Sequence, residues 1–313
     1  MQKEITEVRP LLNDDGSLLQ AGYARRLLPV YNKKTDLPSR IKTKEWDYYY
    51  IGNRQYGLAL TIDDNGYMGL DSISFLNFDE SWEITISKMQ ALTLGKKDLP
   101  PSSAAGSIGV KGKDYALNFA NDGETRELTG YMNNFKGKKK ISFEVTLSEI
   151  PEESMVIVTP FPKKKHFYYN QKINCMKARG YVRIGEDEYL FNDEYSYGTL
   201  DWGRGIWTYD NTWYWSSLST SIDGIPFGFN LGYGFGDTSA ASENMLFYDG
   251  KAHKLEEVTF NIPQKEGKDD FMSEWTFTAS DGRVDLRFTP IIDRAACTNV
   301  LVIMSDQHQV FGR

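Results

Sequence analysis

From Trp46 onward, apolar and polar residues alternate in short runs separated by turn residues, the period of strands with one buried face. Leu58-Ala59-Leu60-Thr61-Ile62 runs into Asp63-Asp64-Asn65-Gly66, and a second run from Tyr67 to Phe78 follows. Asn-Gly between two such runs predicts a hairpin. Trp82, Ile84 and Ile86 alternate with Glu83 and Thr85, and Tyr115, Leu117 and Phe119 alternate up to Asn121-Asp122-Gly123. Ile141, Phe143, Val145 and Leu147 alternate with Ser142, Glu144, Thr146 and Ser148. The pattern returns at 180–184, 189–191, 245–248, 258–262, 274–279 and 284–288. Residues 299–304 read as a strand buried on both faces. No segment holds a helical period. The expected class is all-β, with two antiparallel sheets each closed or nearly closed on itself.

Residues 1–43 break the pattern, with Asp14-Asp15-Gly16 as a turn signal and Pro29 and Pro38 interrupting regular structure. Val8, Leu11, Leu12, Leu27, Leu28 and Val30 could dock this segment onto a sheet. Pro151, Pro160, Pro162 and the run Lys163-Lys164-Lys165 place a boundary near residue 163, giving sheets at 44–163 and 164–313. The chain ends on Gln309-Val310-Phe311, which reads as the start of a further strand and predicts a second barrel lacking its closing hairpin.

Residues 195–236 are the densest in aromatic and glycine residues. Four of the seven tryptophans, Trp202, Trp207, Trp213 and Trp215, fall here. In a strand from Phe227, one face carries Phe227, Phe229, Leu231, Tyr233 and Phe235, and the other Gly228, Asn230, Gly232, Gly234 and Gly236. A face with so little side-chain volume marks close approach to the backbone. Either a ligand comes in there, beside Asn230, or indoles from Trp213 and Trp215 cover the glycines.

Composition narrows the function classes. The 36 basic and 43 acidic residues give a net charge of −7 with no long basic stripe, which argues against nucleic acid as the main partner. Residues 1–30 contain Glu4, Glu7, Asp14 and Asp15 and no apolar core of a signal peptide, and no stretch is apolar enough to span a bilayer. With only Cys175 and Cys297, no disulfide framework is expected and a cytoplasmic setting is the simplest expectation. His166, His253 and His308 are scattered, so no metal site is expected, and no phosphate-cradling or dinucleotide motif points to an organic cofactor.

Pro160-Phe161-Pro162, the run His166-Phe167-Tyr168-Tyr169-Asn170-Gln171-Lys172-Ile173-Asn174-Cys175-Met176, the motif Gly198-x-x-Asp201-Trp202-Gly203-Arg204-Gly205-x-Trp207 and Ser242-Glu243-Asn244 resemble a bacterial family catalogued as domain of unknown function 2804. The resemblance covers essentially the whole chain. More distantly, the layout resembles the lipocalin-like hydratase and cyclase group of carotenoid 1,2-hydratase, tocopherol cyclase and kievitone hydratase. That resemblance implies two tandem lipocalin-like barrels and an Asp-His pattern on an early strand of one of them. Here Leu200-Asp201-Trp202-Gly203 takes that place without the histidine.

The candidate site joins Asp201 and Arg204 to the indoles. Asp201 serves as general acid or base, with Arg204 anchoring a carboxylate, phosphate or polarised oxygen; alternatively the two form an ion pair that pins a glycine-rich turn. Trp202, Trp207, Trp213 and Trp215 would stack on a flat or polyene ligand. His166, Tyr168 and Asn170 share a face if extended, and Glu243 with Asn244 either closes a loop over the barrel mouth or caps a turn. The function expected is binding of a small apolar or aromatic ligand, with cofactor-independent hydratase, isomerase or cyclase chemistry if it is an enzyme. A carbohydrate-binding or carbohydrate-processing protein, and a filled barrel acting as an interaction module, are the alternatives; the oligomeric state is left open.

Overall fold

The computed structural model describes residues 2–34, 39–300 and 303–313, without the side chains of 298–304. Among the described residues every regular element is a strand, so the all-β expectation holds. One sheet of thirteen strands dominates. A meander of Lys44–Gly52, Tyr56–Asp64, Met68–Asn77 and Trp82–Ala91 forms one side of it. From Lys44–Gly52 the sheet continues the other way through Tyr197–Ile206, Phe167–Ile184, Lys139–Ser148, Arg126–Lys136, Tyr115–Asn121 and Ile108–Lys111. It curls around a core that includes Tyr49, Leu60, Phe75, Phe119, Val145, Tyr169 and Trp202. Across the open seam side chains replace the ladder. Lys88 pairs with Asp114 at 2.7 Å, Gln90 donates to Tyr115 at 3.0 Å, and the Lys136 ammonium lies 3.6 Å from the centre of the Trp82 ring.

Strands from both sides of residue 163 share this sheet: Met155–Pro160 is hydrogen-bonded to Phe167–Ile184, and only the turn between them falls at the boundary read from the sequence. Residues 2–34 are mostly irregular, as expected, but Gly22–Ala24 adds a strand beside Met155–Pro160. Leu11 and Leu12 dock on the core, whereas Val8 and Val30 stay exposed. Past residue 213 the strands form smaller sheets. Tyr214–Ile222, Ile225–Tyr233, Met245–Tyr248 and Lys251–Lys254 make a four-stranded sheet, and Val258–Asn261, Trp275–Ala279 and Asp285–Phe288 a three-stranded one. A hairpin of Pro290–Val300 and Ile303–Gly312 follows. Residues 309–312 therefore finish a paired strand instead of starting a new one. The burial expected for 299–304 lies outside the described residues. Among the described residues no helix is long and apolar enough to cross a membrane.

Phe167–Ile184 positions the site. Phe167, Tyr169 and Ile173 face the main core before a register shift against Tyr197–Ile206; Met176, Ala178, Val182 and Ile184 face it afterwards. An extra residue in a strand exchanges its faces, and Cys175, at φ 64°, supplies the bulge. Asn174 in this bulge donates its Nδ2 to Ser217 Oγ at 2.8 Å, Leu218 O at 3.0 Å and Phe229 O at 3.2 Å, which fastens the hairpin of Tyr214–Ile222 and Ile225–Tyr233 over the strand. Residues 167–176 are consequently buried without alternation.

Glycines let the layers approach. A Cβ at Gly228 would lie 2.5 Å from Leu218 O and 2.7 Å from Cys175 Sγ, and one at Gly232 would lie 3.3 Å from Glu243 Cβ. The nearest atoms over these glycines belong to backbone, Cys175 and Glu243, not to the indoles of Trp213 and Trp215, one of the two coverings the sequence left open. At Gly203 a Cβ would sit 2.0 Å from the Trp46 ring. Gly203→Ala should cost about 1–3 kcal/mol, the usual range for overpacking. A thermal melt followed by tryptophan emission reads this, and a melt identical to wild type would show that Trp46 does not lie across Gly203.

Candidate functional site

Strand alternation splits the Asp-Trp-Gly-Arg-Gly motif between two environments. Trp202 and Arg204 point inward and Asp201 and Gly203 outward, so Asp201 and Arg204 are neither a pair nor parts of one site. Arg204 is fully buried. It donates to Asp47 Oδ1 at 3.0 Å and, at 2.7 Å each, to the carbonyls of Trp46, Gly203 and Pro100. Glu45 lies 3.6 Å from its Nε and the Trp202 ring 4.3 Å from the guanidinium. Burial raises the pKa of Glu45 and Asp47, and the Arg204 charge opposes that rise. Arg204 therefore holds Lys44–Gly52 and the Pro100 loop together inside the core.

On the outer face Asp201 meets a cation that the sequence reading missed. Lys172 Nζ lies 2.5 Å from Asp201 Oδ2 and 3.7 Å from Glu243 Oε2, on a side chain only 2% exposed. Asp201 Oδ1 accepts from Asn170 Nδ2 at 2.7 Å and from Trp46 Nε1 at 3.0 Å. The Trp215 ring caps the ammonium at 4.5 Å and donates its Nε1 to Asn230 Oδ1 at 2.6 Å. Asn230 Nδ2 in turn donates to Glu243 O at 2.8 Å and Oε2 at 3.3 Å, and Tyr168 hydrogen-bonds Glu243. Tyr48 stands edge-on to Trp215 at 6.2 Å. The structure thus gathers Asp201, Trp215, Asn230, Glu243 and Tyr168, and adds Lys172, Asn170, Trp46 and Tyr48. A signal for Lys172 was present: it continues the Tyr168, Asn170 face by one more alternation.

The remaining sequence candidates sit elsewhere. Trp207 and Trp213 pack on Phe235, at ring distances of 5.3 and 5.2 Å. Trp207 still reaches the site's edge, standing 5.5 Å from Trp46, which stacks on Tyr168 at 5.9 Å. Trp202 is core, against Tyr169. His166 lies in the turn before the strand, its Nδ1 beside the Lys164 carbonyl, because regular structure starts one residue later, at Phe167.

Burial raises the Glu243 pKa and the Asp201 charge adds to the rise, while Lys172 opposes it. Tyr168 is raised well above its usual value, first by burial and then by Glu243 and Asp201. Lys172 and Asp201 form the close pair, with the lone pairs of Asp201 committed to three donors. Glu243 is left as the carboxyl group suited to hold and pass a proton. Asn170 Oδ1 is buried without a hydrogen-bond partner among the described residues. Two cavities lie away from this cluster. One, about 310 Å³, is lined by Tyr23, Arg25, Lys254 and Arg283; the other, about 350 Å³, lies over the outside of Tyr115–Asn121 and Arg126–Lys136. Lys254 commits its three donors to Ser242, Asn244 and Leu255 at 2.8–2.9 Å. Neither cavity combines a buried cation, carboxylates and indoles as the Lys172 cluster does.

The chain belongs to the family described as Domain of unknown function (DUF2804), whose model matches residues 2–313. No curated protein matches it. Among solved structures, kievitone hydratase from Nectria haematococca is similar at TM-score 0.52 and 11% identity over 97% of each chain. A protein described as an AttH from Nitrosomonas europaea gives a TM-score of 0.49 and 10% identity over 82% of each chain. The first likeness concerns the fold and meets the resemblance read from the sequence.

Breaking a buried ion pair leaves a charge uncompensated, at about 3–5 kcal/mol. Lys172→Met should fall in that range, since it strands two carboxylates. Asp201→Asn should cost less, because Glu243 remains 3.7 Å from Lys172. With its pKa raised, folded Glu243 keeps its proton longer than the unfolded chain does, so its contribution to stability declines as pH rises from the ordinary glutamate range. Glu243→Gln removes that decline. Its stability relative to wild type should therefore increase between about pH 4 and pH 8. Denaturant melts across that range check both statements; a pH-independent difference would contradict the second.

Proposed function

We propose that this DUF2804 protein binds a small, largely apolar or aromatic molecule where the outer face of Tyr197–Ile206 meets the hairpin 214–233, and that Glu243 exchanges a proton with it. The observation that carries the reading is Lys172, buried between Asp201 and Glu243 beneath the Trp215 ring. Stability does not require such a cluster, since replacing buried ionic groups with apolar ones is often neutral or favourable. The half-buried rings of Trp46, Tyr48, Trp207 and Trp215 supply flat apolar surface around it. The chemistry these groups support is non-redox addition, elimination, isomerisation or cyclisation. Glu243 gives or takes the proton, and the Lys172–Asp201 pair stabilises charge that develops beside it. The similar fold belongs to a hydratase, an activity of the same kind. The same reading takes the curled sheet and the hairpins of 214–312 as two lipocalin-like halves that meet at this face.

Retinol and biphenyl-4-methanol are suitable neutral probes, followed by calorimetry. At least one should bind, and Trp215→Leu should weaken that binding by about tenfold, the equivalent of one lost aromatic contact. Asp201→Asn should weaken binding as well. Affinities unchanged in both variants would sink the site.

A further inference from the structure

Lys44 lies at the start of the strand that carries Trp46 and Tyr48, on their outward face. Its ammonium sits 4.2 Å from the centre of the Tyr67 ring and 5.7 Å from that of Trp207. It donates to Asn65 O at 3.1 Å. Among the described residues no carboxylate forms an ion pair with it. Other enclosed lysines differ: Lys33 pairs with Glu45, Lys97 with Asp71 and Lys172 with Asp201. Lys254, also without an ion pair, has three hydrogen bonds to protein oxygens instead. Lys44 is thus a half-buried cation with unfilled donors, walled by two rings, next to the aromatic site.

We propose that Lys44 anchors the carboxylate end of an elongated, planar or apolar ligand whose body crosses Trp207 and Trp46 to the Lys172–Asp201 cluster. The inference rests on the reading of that cluster as a ligand site and adds the substrate class. In the strand pairing Lys44 stands opposite Gly205 and Tyr48 opposite Asp201. Four residues of strand span about 13 Å at roughly 3.3 Å per residue, which sets the distance from the anionic end to the reacting end. The groups facing Lys44 are Tyr67, the Asn65 carbonyl, Trp207 and, acting at longer range, Asp63 and Asp64. Asp64 is turned inward, accepting from Gly66 N and Thr93. Asp63 accepts from Leu70 N at 2.7 Å, and burial pushes its pKa up to about 7; burial brings Lys44 down to about 8. Carboxylate binding should accordingly be strongest above the ligand's own pKa and below about 7, weakening first as Asp63 ionises and then as Lys44 loses its proton.

The test uses matched pairs that differ only at the anionic end: biphenyl-4-carboxylate against biphenyl-4-methanol, and retinoic acid against retinol. Near pH 6.5 wild type should bind the acid of at least one pair about tenfold or more tighter than its alcohol, the scale of one charge-assisted hydrogen bond. Above about pH 9 that preference should collapse as Lys44 becomes neutral. Lys44→Met, which keeps the apolar stem, should bind acid and alcohol alike with the alcohol's affinity retained; Lys44→Gln serves if the methionine variant melts early. Equal binding of acid and alcohol by wild type, or an acid preference that survives in the variant, overturns the anchor and leaves the aromatic site standing. If no member of either pair binds wild type, the site reading fails and the anchor fails with it.

Discussion

An ammonium ion enclosed between two β layers has to be neutralised where it sits, and the outer-face site is arranged around that requirement at Lys172. Desolvating a lysine costs several kcal/mol, recovered only with a close counter-charge and filled hydrogen bonds. Asp201 supplies the counter-charge at 2.5 Å. Asp201 is itself enclosed, so its second oxygen is satisfied by Asn170 and Trp46. Trp46 can reach it only because position 203 has no Cβ. On the other layer Asn230 ties Trp215 and Glu243 into the same cluster. The glycines, the indoles and the second carboxylate each follow from one buried charge.

The wall that carries this cluster is two-faced. Glu45 and Asp47 of one strand and Arg204 of the next form a network inside the main core, while Trp46, Tyr48 and Asp201 of the same two strands serve the outer face. The two networks lie on opposite sides of the backbone. In the inner one Arg204 of one strand holds Asp47 and the Trp46 carbonyl of the other, next to the Trp46 that donates to Asp201. Arg204 therefore supports the site without touching it, which is a different role from the anchoring one its place in the motif implied.

What was legible in the sequence was local. Asn65-Gly66 marked a hairpin, and the alternation at 141–148 gave a half-buried strand, because turn geometry and side-chain period are encoded within a few residues. The pairing of Lys44–Gly52 with Tyr197–Ile206 joins segments about 150 residues apart, and no local pattern announces it. Trp46 and Tyr48 were missed for that reason. The face change at Cys175 was hidden too, since a left-handed cysteine carries no glycine signal. Asp201 and Arg204 were read together around a glycine-rich turn. Residues three apart in a strand lie on opposite faces, and Tyr197–Ile206 is a strand, so the two part company.

The same alternation decides which side chains can stand beside Asp201. Position 202 points into the main core, where Trp202 packs on Tyr169. Whatever residue stood there, it could not share a face with Asp201. A partner for Asp201 has to come from a neighbouring strand, and the register selects it: Lys172 stands directly opposite Asp201. The Lys172 ammonium, 2.5 Å from Asp201 Oδ2, is its close counter-charge. In the proposed function the proton-carrying role falls to the carboxyl farther from the lysine, Glu243, whose pKa burial raises. Glu243, in the segment before Met245–Tyr248, stands against the second layer. On the proposed function, a ligand reaching Glu243 lies between the two layers, against the rings of Trp46 and Trp215.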